Sequence, residues 1–315
     1  MKKAIKLLFE RILGVKLLSR EGQKSMGDYI SVLEGMISNY GEKAEGISCV
    51  VFSKNRAIQL HALIKSYFKY VENPCPIFVL YSADGVGQLE SYEQLNDILK
   101  ERNLPVTFIR ENNFRTNLVD LLSLLDTKNV FFLVDDIVFI RQMNLKDWEN
   151  FDTKKYIPSI RLGENINYSY ANQHVQKVPV LEPTGKDLFL WNWADGEYDW
   201  KYPLSVDGNI FSLAEILSLI KSISFNAPNS LERELQCGLQ FYMKKKGVTY
   251  RYPRIVNNPC NRVQSEIDNP SGNVSIEFLL DEWEKGNEID IDLYDDIATN
   301  SVHQELVLTF KKRES

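Results

Sequence analysis

Between Val130 and Ile140 the chain reads Val-Phe-Phe-Leu-Val-Asp-Asp-Ile-Val-Phe-Ile, an apolar run broken only by the adjacent carboxylates of Asp135 and Asp136. Apolar residues flank the pair on both sides, a pattern that predicts a strand buried on both faces in a parallel sheet. Two like charges are costly to bury side by side unless positive charge lies between or near them. A divalent cation supplies it; the alternative is a turn in which backbone amides bind the pair between two buried strands. Neighbours on a straight strand point to opposite faces, so the carboxylates converge on one ion only where the strand ends or bends. The carboxyl edge of such a sheet is also where open α/β folds bind ligands.

The preceding residues repeat the same grammar. Short apolar runs at Ile47–Phe52, Ile77–Tyr81, Val106–Ile109 and Val130–Val134 read as strands, with amphipathic helices at Ala57–Tyr70, Leu89–Arg102 and Asn117–Leu125 between them, a βαβ series around a largely parallel sheet. Beyond Ile140 the pattern loosens. Helices are expected at Phe211–Ile223 and Leu231–Lys246, a strand at Val248–Val256 and a last strand near Leu306–Phe310. Upstream, Gly27–Tyr40 reads as a short helix, and Met1–Arg20 joins Ile5, Leu8, Phe9 and Ile12 at helical spacing to a cationic face. That segment has the build of an interfacial helix, or of a helix packed on the domain with a solvated basic side; charges interrupt it too often for a span or a signal peptide. A net charge of -6 argues against nucleic acid as a partner. Four scattered cysteines without a Cys-x-x-Cys pair suggest neither zinc nor a disulfide framework, and a cytoplasmic protein is expected.

Other chemistry-bearing residues cluster at predicted strand ends. After the first strand comes Phe52-Ser53-Lys54-Asn55-Arg56 at the start of a helix, where backbone amides and cationic side chains can hold a phosphate or a nucleotide's polar edge. Tyr81 and Asp84 end the second strand and suit a base and a ribose, although Asp84-Gly85 also reads as a turn. In the second half, Trp200 through Asn209 place Asp207 among aromatic residues and before a glycine. Partial burial there would raise a carboxylate pKa, while Asp-Gly is again a turn pair. Glu232 reads first as a helix-capping residue and second as a base or acceptor contact. Arg161, Arg254 and Arg262 are candidates for diphosphate charge, Asn258 and Asn261 for sugar hydroxyls, and Trp200 for stacking on a sugar ring, the aromatic cluster being equally suited to a core.

Strand, Ser-Lys-Asn-Arg, helix, strand, Asp84 and a later apolar strand ending in an acidic pair together resemble the nucleotide half of GT-A glycosyltransferases, the family 2-like bacterial enzymes in particular. The resemblance implies an α/β GT-A fold with a mostly parallel sheet. It divides the chain into a basic helical extension at 1–43, a nucleotide-sugar half at 44–140, an acceptor half at 141–265 and an acidic C-terminal wrap at 266–315. It implies a UDP or GDP sugar donor, Mn²⁺ or Mg²⁺, and a carbohydrate or glycolipid acceptor; the interfacial reading of residues 1–20 would add peripheral contact with the inner membrane face. Asp135 and Asp136 take the place of the family's Asp-x-Asp without its middle residue, with Asp136 expected on the metal and Asp135 nearer the ribose. His303 takes the place of a C-terminal metal ligand. Asp207 is the expected base of an inverting transfer, with Glu232 behind it. The alternatives are a sugar nucleotidyltransferase, against which the missing Gly-rich phosphate loop counts, and a non-catalytic domain that binds carbohydrate or a partner.

Overall fold

The computed structural model describes residues 30–38, 40–41, 43–149, 151–261 and 270–313. The basic segment Met1–Arg20 and the candidate Arg262 lie outside the described residues. The chain divides into two compact units, Met1–Gly41 and Glu42–Ser315. In the first, residues 30–38 are helical, inside the span expected from the sequence. Among the described residues no helix is long and apolar enough to cross a membrane.

The second unit is built on a five-stranded sheet. Its strands are β1 (Ala44–Lys54), β2 (Ile77–Ser82), β3 (Val106–Arg110), β4 (Thr127–Val134) and, after β5 (Ile137–Phe139), β6 (Tyr156–Pro158), β7 (Glu182–Gly185) and β8 (Leu188–Asn192), the edge strand β9 (Ile210–Ser212); β5 to β8 belong elsewhere. The spatial order is β9-β4-β1-β2-β3, with β1, β2, β3 and β4 parallel and β9 antiparallel to β4. The expected α/β class with a mostly parallel central sheet is therefore what the chain adopts. The helices α1 (Ala57–Tyr70), α2 (Val86–Glu101) and α3 (Phe114–Leu124) are the connections between the parallel strands, as a parallel ladder requires.

Register brings the strand ends together. Phe52 lies opposite Val134, Ser53 opposite Tyr81 and Lys54 opposite Ser82, so Ser53, Tyr81, Asp84 and Asp135 share one carboxyl edge. On the antiparallel side Ile210 faces Phe131 and the Gly208 amide donates to Phe132 O at 2.8 Å, which carries Asp207 to the same edge. Gly208 has φ +80° and no room for a Cβ, which would lie 2.6 Å from Ile255 Cδ1 and 2.8 Å from Ile160 Cγ1.

Three expectations are corrected in the second half. The predicted helix Leu231–Lys246 is broken: it follows α4 (Leu213–Ser222) as α5 (Pro228–Leu235), a 3₁₀ turn and a single short turn of helix, with Gly238, a weak helix former, at the junction. The predicted strand Val248–Val256 is two strands, β10 (Lys246–Tyr250) and β11 (Ile255–Asn257), since Pro253 between them cannot donate to a ladder. The third concerns the aromatic stretch. Strands β7, β8, β10 and β6 form a second sheet, and Trp191, Trp193 and Trp200 are buried at its end at 2%, 0% and 0% exposure, so these rings are core. The segment that ends with α6 (Ile276–Glu284), β12 (Asn287–Ile289) and β13 (Phe310–Lys312) packs α6 on α1 and α2 and pairs β12 with β13; the last strand thus begins where the expected one ends.

His61 on α1 is buried edge-on to Trp283 of α6, with ring centroids 5.8 Å apart. Burial, helped by Lys65, Arg313 and Arg102, pushes its pKa down to about 3. The folded protein therefore refuses a proton that the unfolded chain accepts near pH 6.5, so this contribution to stability is complete above that pH and is lost as pH falls toward 3. Lowering pH from 7 to 5 is expected to cost the wild type about 2 kcal/mol more than it costs His61→Phe, which keeps the ring contact but cannot titrate. Urea denaturation at the two pH values measures the difference; equal losses would contradict the assignment.

Candidate active site

The strand predicted across Val130–Ile140 leaves the central sheet at the acid pair. β4 stops at Val134, and β5 resumes at Ile137 in a separate ladder with β11. That break lets both carboxylates turn toward one group, and in this structure the group is Arg56, which precedes α1. Arg56 Nη1 donates to Asp135 Oδ1 at 2.9 Å and to Asp136 Oδ2 at 3.0 Å, and Nη2 donates to Asn261 O at 2.6 Å. Burial opposes the guanidinium charge, but the two aspartates outweigh it and hold its pKa above the ordinary value.

Both oxygens of Asp135 are engaged: Oδ1 accepts from Arg56. Its Oδ2 takes Ser53 Oγ at 2.8 Å and the Lys54 amide at 3.1 Å. Ser53 uses its only proton on Asp135, so the 2.5 Å contact between Ser53 Oγ and Tyr92 Oη has Tyr92 as donor, and Tyr92 Oη in turn accepts the Arg56 amide at 3.1 Å. A directed chain thus runs Arg56 N–H, Tyr92, Ser53, Asp135. Tyr92, on α2, was not legible in the sequence as a site residue, because nothing in an amphipathic helix marks where a hydroxyl points.

Asp136 is different. Its Oδ1 is buried without a partner, and its pKa is pushed up to about 6 by burial and by Asp135 and Asp207, against the pull of Arg56 and His303. Asp207 Oδ2 lies 3.4 Å from His303 Nε2 and 3.6 Å from Arg161 Nη1. Burial would raise the Asp207 pKa, but those two cationic partners hold it below the carboxylate range; the reciprocal interaction lifts His303 against its own burial. His303 enters from the C-terminal segment, where Asn257 N–H donates to Val302 O at 3.0 Å and Gln304 N–H to Asn257 O at 2.9 Å. Its Nδ1 is buried and unpartnered.

Arg161 is anchored behind Asp207. Its Nη2 donates to Asp199 Oδ1 at 2.8 Å, Asp199 is held by Gln176 at 3.1 Å, and Nη1 donates to Ser205 Oγ. Ser205 accepts from Arg161 and from the Asp207 amide, which leaves its proton for Glu232. Tyr202 also hydrogen-bonds Glu232. Burial first, and the Asp207 charge second, push the Glu232 pKa up to about 7. The capping role expected of Glu232 belongs instead to Ser230, whose Oγ accepts the Ala227 amide at 3.0 Å. Asp199 and Gln176 were not singled out in the sequence; an Asp in an aromatic-rich loop has no spacing that ties it to Arg161.

The remaining candidates divide by burial and partners. Asn55 and Asp84 clasp each other across the strand ends, Asn55 Nδ2 donating to Asp84 Oδ2 at 3.0 Å and the Asp84 amide to Asn55 Oδ1 at 2.7 Å; with Lys54 at 3.1 Å they keep Asp84 ionised below the usual range. Tyr81 stacks on Tyr92 at 4.5 Å, at the same edge. Phe52 is core, 3% exposed between Phe114 and Phe132, so it is withdrawn as a nucleotide contact. Trp200 is withdrawn as a stacking platform, since it is fully buried with Nε1 donating to Ile166 O at 2.8 Å. Arg254 lies over the Tyr250 ring at 3.9 Å with Asp187 at 3.6 Å, partners that the acid pair does not share. Asn258 uses its side chain to latch Leu306, with its amide on Asp136 O at 2.8 Å. It braces the site from a buried position. Asn261 supports Arg56 through its carbonyl.

Among the described residues no three His, Cys, Asp or Glu side chains are grouped to hold a metal. Two unpartnered buried atoms, Asp136 Oδ1 and His303 Nδ1, do belong to the cluster. With His303 neutral, its Nδ1 deprotonated and its Nε2–H kept on Asp207, that donor set fits a hard divalent cation of the kind that takes one or two protein ligands and completes its shell with substrate phosphates.

No protein-family model matches the chain. The bifunctional glycosyltransferase pgtA of Dictyostelium discoideum is 26% identical over 262 residues, which cover 72% of this chain and 34% of that protein. This chain thus spans about a third of the length of that curated relative. Among solved structures, residues 1–349 of S. aureus TarS in complex with UDP-GlcNAc superpose with a TM-score of 0.45 at 14% identity, over 70% of this chain and 59% of that one. GalNAc-T7 with UDP, GalNAc and Mn²⁺ gives 0.43 at 12% identity, over 85% and 58%. The chain is similar to glycosyltransferases, the class that Ser53 to Arg56, Asp84 and the acid pair led us to expect.

Proposed function

We propose that this protein transfers a sugar from a nucleoside diphosphate, of the UDP or GDP type, to an acceptor hydroxyl. The observation that carries the reading is the convergence of Asp136, Asp207, His303, Arg161 and Glu232 at the carboxyl edge of the sheet, beside Tyr81, Asn55 and Asp84. The 26% identity to a glycosyltransferase over most of the chain supports it. In this reading Tyr81 and Asp84 meet the nucleoside, and Asp136 with His303 would hold Mn²⁺ or Mg²⁺. Such a cation, when bound, screens the charge of the diphosphate leaving group.

The acceptor proton goes to Glu232 rather than to Asp207. Asp207 is held ionised by His303 and Arg161, which makes it a weak base, while Glu232 titrates near neutral pH, where a general base works best. Asp207 keeps His303 and Arg161 in place and maintains the charge of the pocket. A single displacement with inversion would require Glu232 to face the side of the sugar opposite the leaving group. The acceptor is a carbohydrate or glycolipid hydroxyl, and contact of residues 1–20 with a membrane surface would suit the latter.

Isothermal titration with UDP and GDP, with and without Mn²⁺, is expected to give metal-dependent binding of one nucleotide; no metal-dependent binding of either contradicts the reading. For the base, Glu232→Gln is expected to lower kcat by about 10²- to 10⁴-fold with donor binding kept. Wild-type activity should rise with pH through about 7 as Glu232 loses its proton, and that limb should vanish in the variant. If Asp207→Asn removes the limb and Glu232→Gln does not, the two roles are reversed.

A further inference from the structure

A carboxylate pair at an open sheet edge ordinarily attracts a divalent cation whether or not substrate is present. Here the pair already has a counter-cation. Arg56 Nη1 carries two N–H groups, and each is bonded to one aspartate, at 2.9 Å to Asp135 and 3.0 Å to Asp136. The side chain is fixed from several directions: Nη2 holds Asn261 O at 2.6 Å, and the backbone amide holds Tyr92 Oη at 3.1 Å. It is 7% exposed, so water does little to screen its charge from a second cation. Both oxygens of Asp135 already accept hydrogen bonds, three in all, whereas Asp136 retains one unpartnered oxygen. His303 is already paired with Asp207 at 3.4 Å.

The charges decide the outcome. Two carboxylates and one guanidinium leave one negative charge at the pair, and a divalent cation added alone would make it positive beside a buried arginine. A nucleoside diphosphate brings enough negative charge to reverse that balance, and its oxygens supply further ligands.

We propose that Arg56 is a resident counter-cation which keeps the free protein from binding a divalent metal, so that the metal enters only together with the nucleoside diphosphate. This rests on the reading of Asp136 as a metal contact. Its role is positional: it holds Asp135 and Asp136 at the spacing that the incoming complex requires, without touching the transferred sugar.

The test is retention of Mn²⁺ by the full chain, followed by the electron paramagnetic resonance signal of free Mn²⁺, with and without UDP or GDP. Wild type should retain Mn²⁺ only with nucleotide. Arg56→Gln, which stays polar but loses the charge, should bind Mn²⁺ without nucleotide at least about tenfold more tightly than wild type, and Arg56→Lys should resemble wild type. A purely structural arginine would not yield a gain of metal binding on its removal. If Arg56→Gln folds by circular dichroism and gains none, while wild type binds Mn²⁺ with nucleotide, the inference falls and the proposed function stands. If wild type binds no nucleotide with or without Mn²⁺, the proposed function falls and the joint entry of metal and nucleotide falls with it; a gain of Mn²⁺ by Arg56→Gln then upholds only the exclusion of free metal by Arg56. Should Arg56→Gln fail to fold, wild type alone decides: Mn²⁺ held equally well with and without nucleotide overturns the inference.

Discussion

Two aspartates buried side by side at the end of a central strand set the terms for the rest of this molecule. Neither can be charged there without compensation, and the compensation is a guanidinium with one hydrogen bond to each. To reach them, Arg56 must sit at the end of β1 directly beside β4, which the parallel register of those strands provides. To stay there it requires Asn261 below it and Tyr92 at its amide. The carboxyl edge of the sheet, the start of α1 and the turn after β11 are therefore tied to one electrostatic problem and its solution.

A second charge cluster is built against the first by the antiparallel edge strand. β9 runs back along β4, so Asp207 arrives beside Val134 and within the field of Asp136. Asp207 is then stabilised from one side by Arg161, itself fixed by Asp199, and from the other by His303. The consequence appears on Glu232, whose proton is held to about pH 7 by burial and by that neighbouring charge. Two carboxylates whose environments drive their pKa values apart are the arrangement from which acid–base roles follow. The buried ion pairs add little net stability; their value lies in the pocket they shape.

The stretch from β1 to β4 was largely legible in the sequence because it obeys periodicity. Ala57–Tyr70 was read to the residue, and the four parallel strands were placed within three residues at each end, since buried parallel strands are continuous apolar runs and their helices are amphipathic. The second half resisted for a different reason. Its strands are short and its sheet is closed by tryptophans whose amphipathic rings suit a sugar and a core equally well; only burial separates the two, and burial is a property of the fold. Arg56 illustrates the same limit. Positive charge between the aspartates was demanded by the sequence, but a metal and an arginine satisfy that demand alike, and only the register of β1 against β4 shows which one the free chain supplies. Asp199 and Tyr92 act through other side chains at long sequence separation, and no local pattern announces such contacts.

The central claim is that this carboxyl edge receives a nucleoside diphosphate sugar. A crystal structure of the protein with Mn²⁺ and an unhydrolysable UDP or GDP sugar tests it most directly. The account predicts the base against Tyr81, the diphosphate beside Asp136 and His303, and the anomeric carbon facing Glu232. A nucleotide bound away from this edge, or a diphosphate that meets neither Asp136 nor His303, would contradict it.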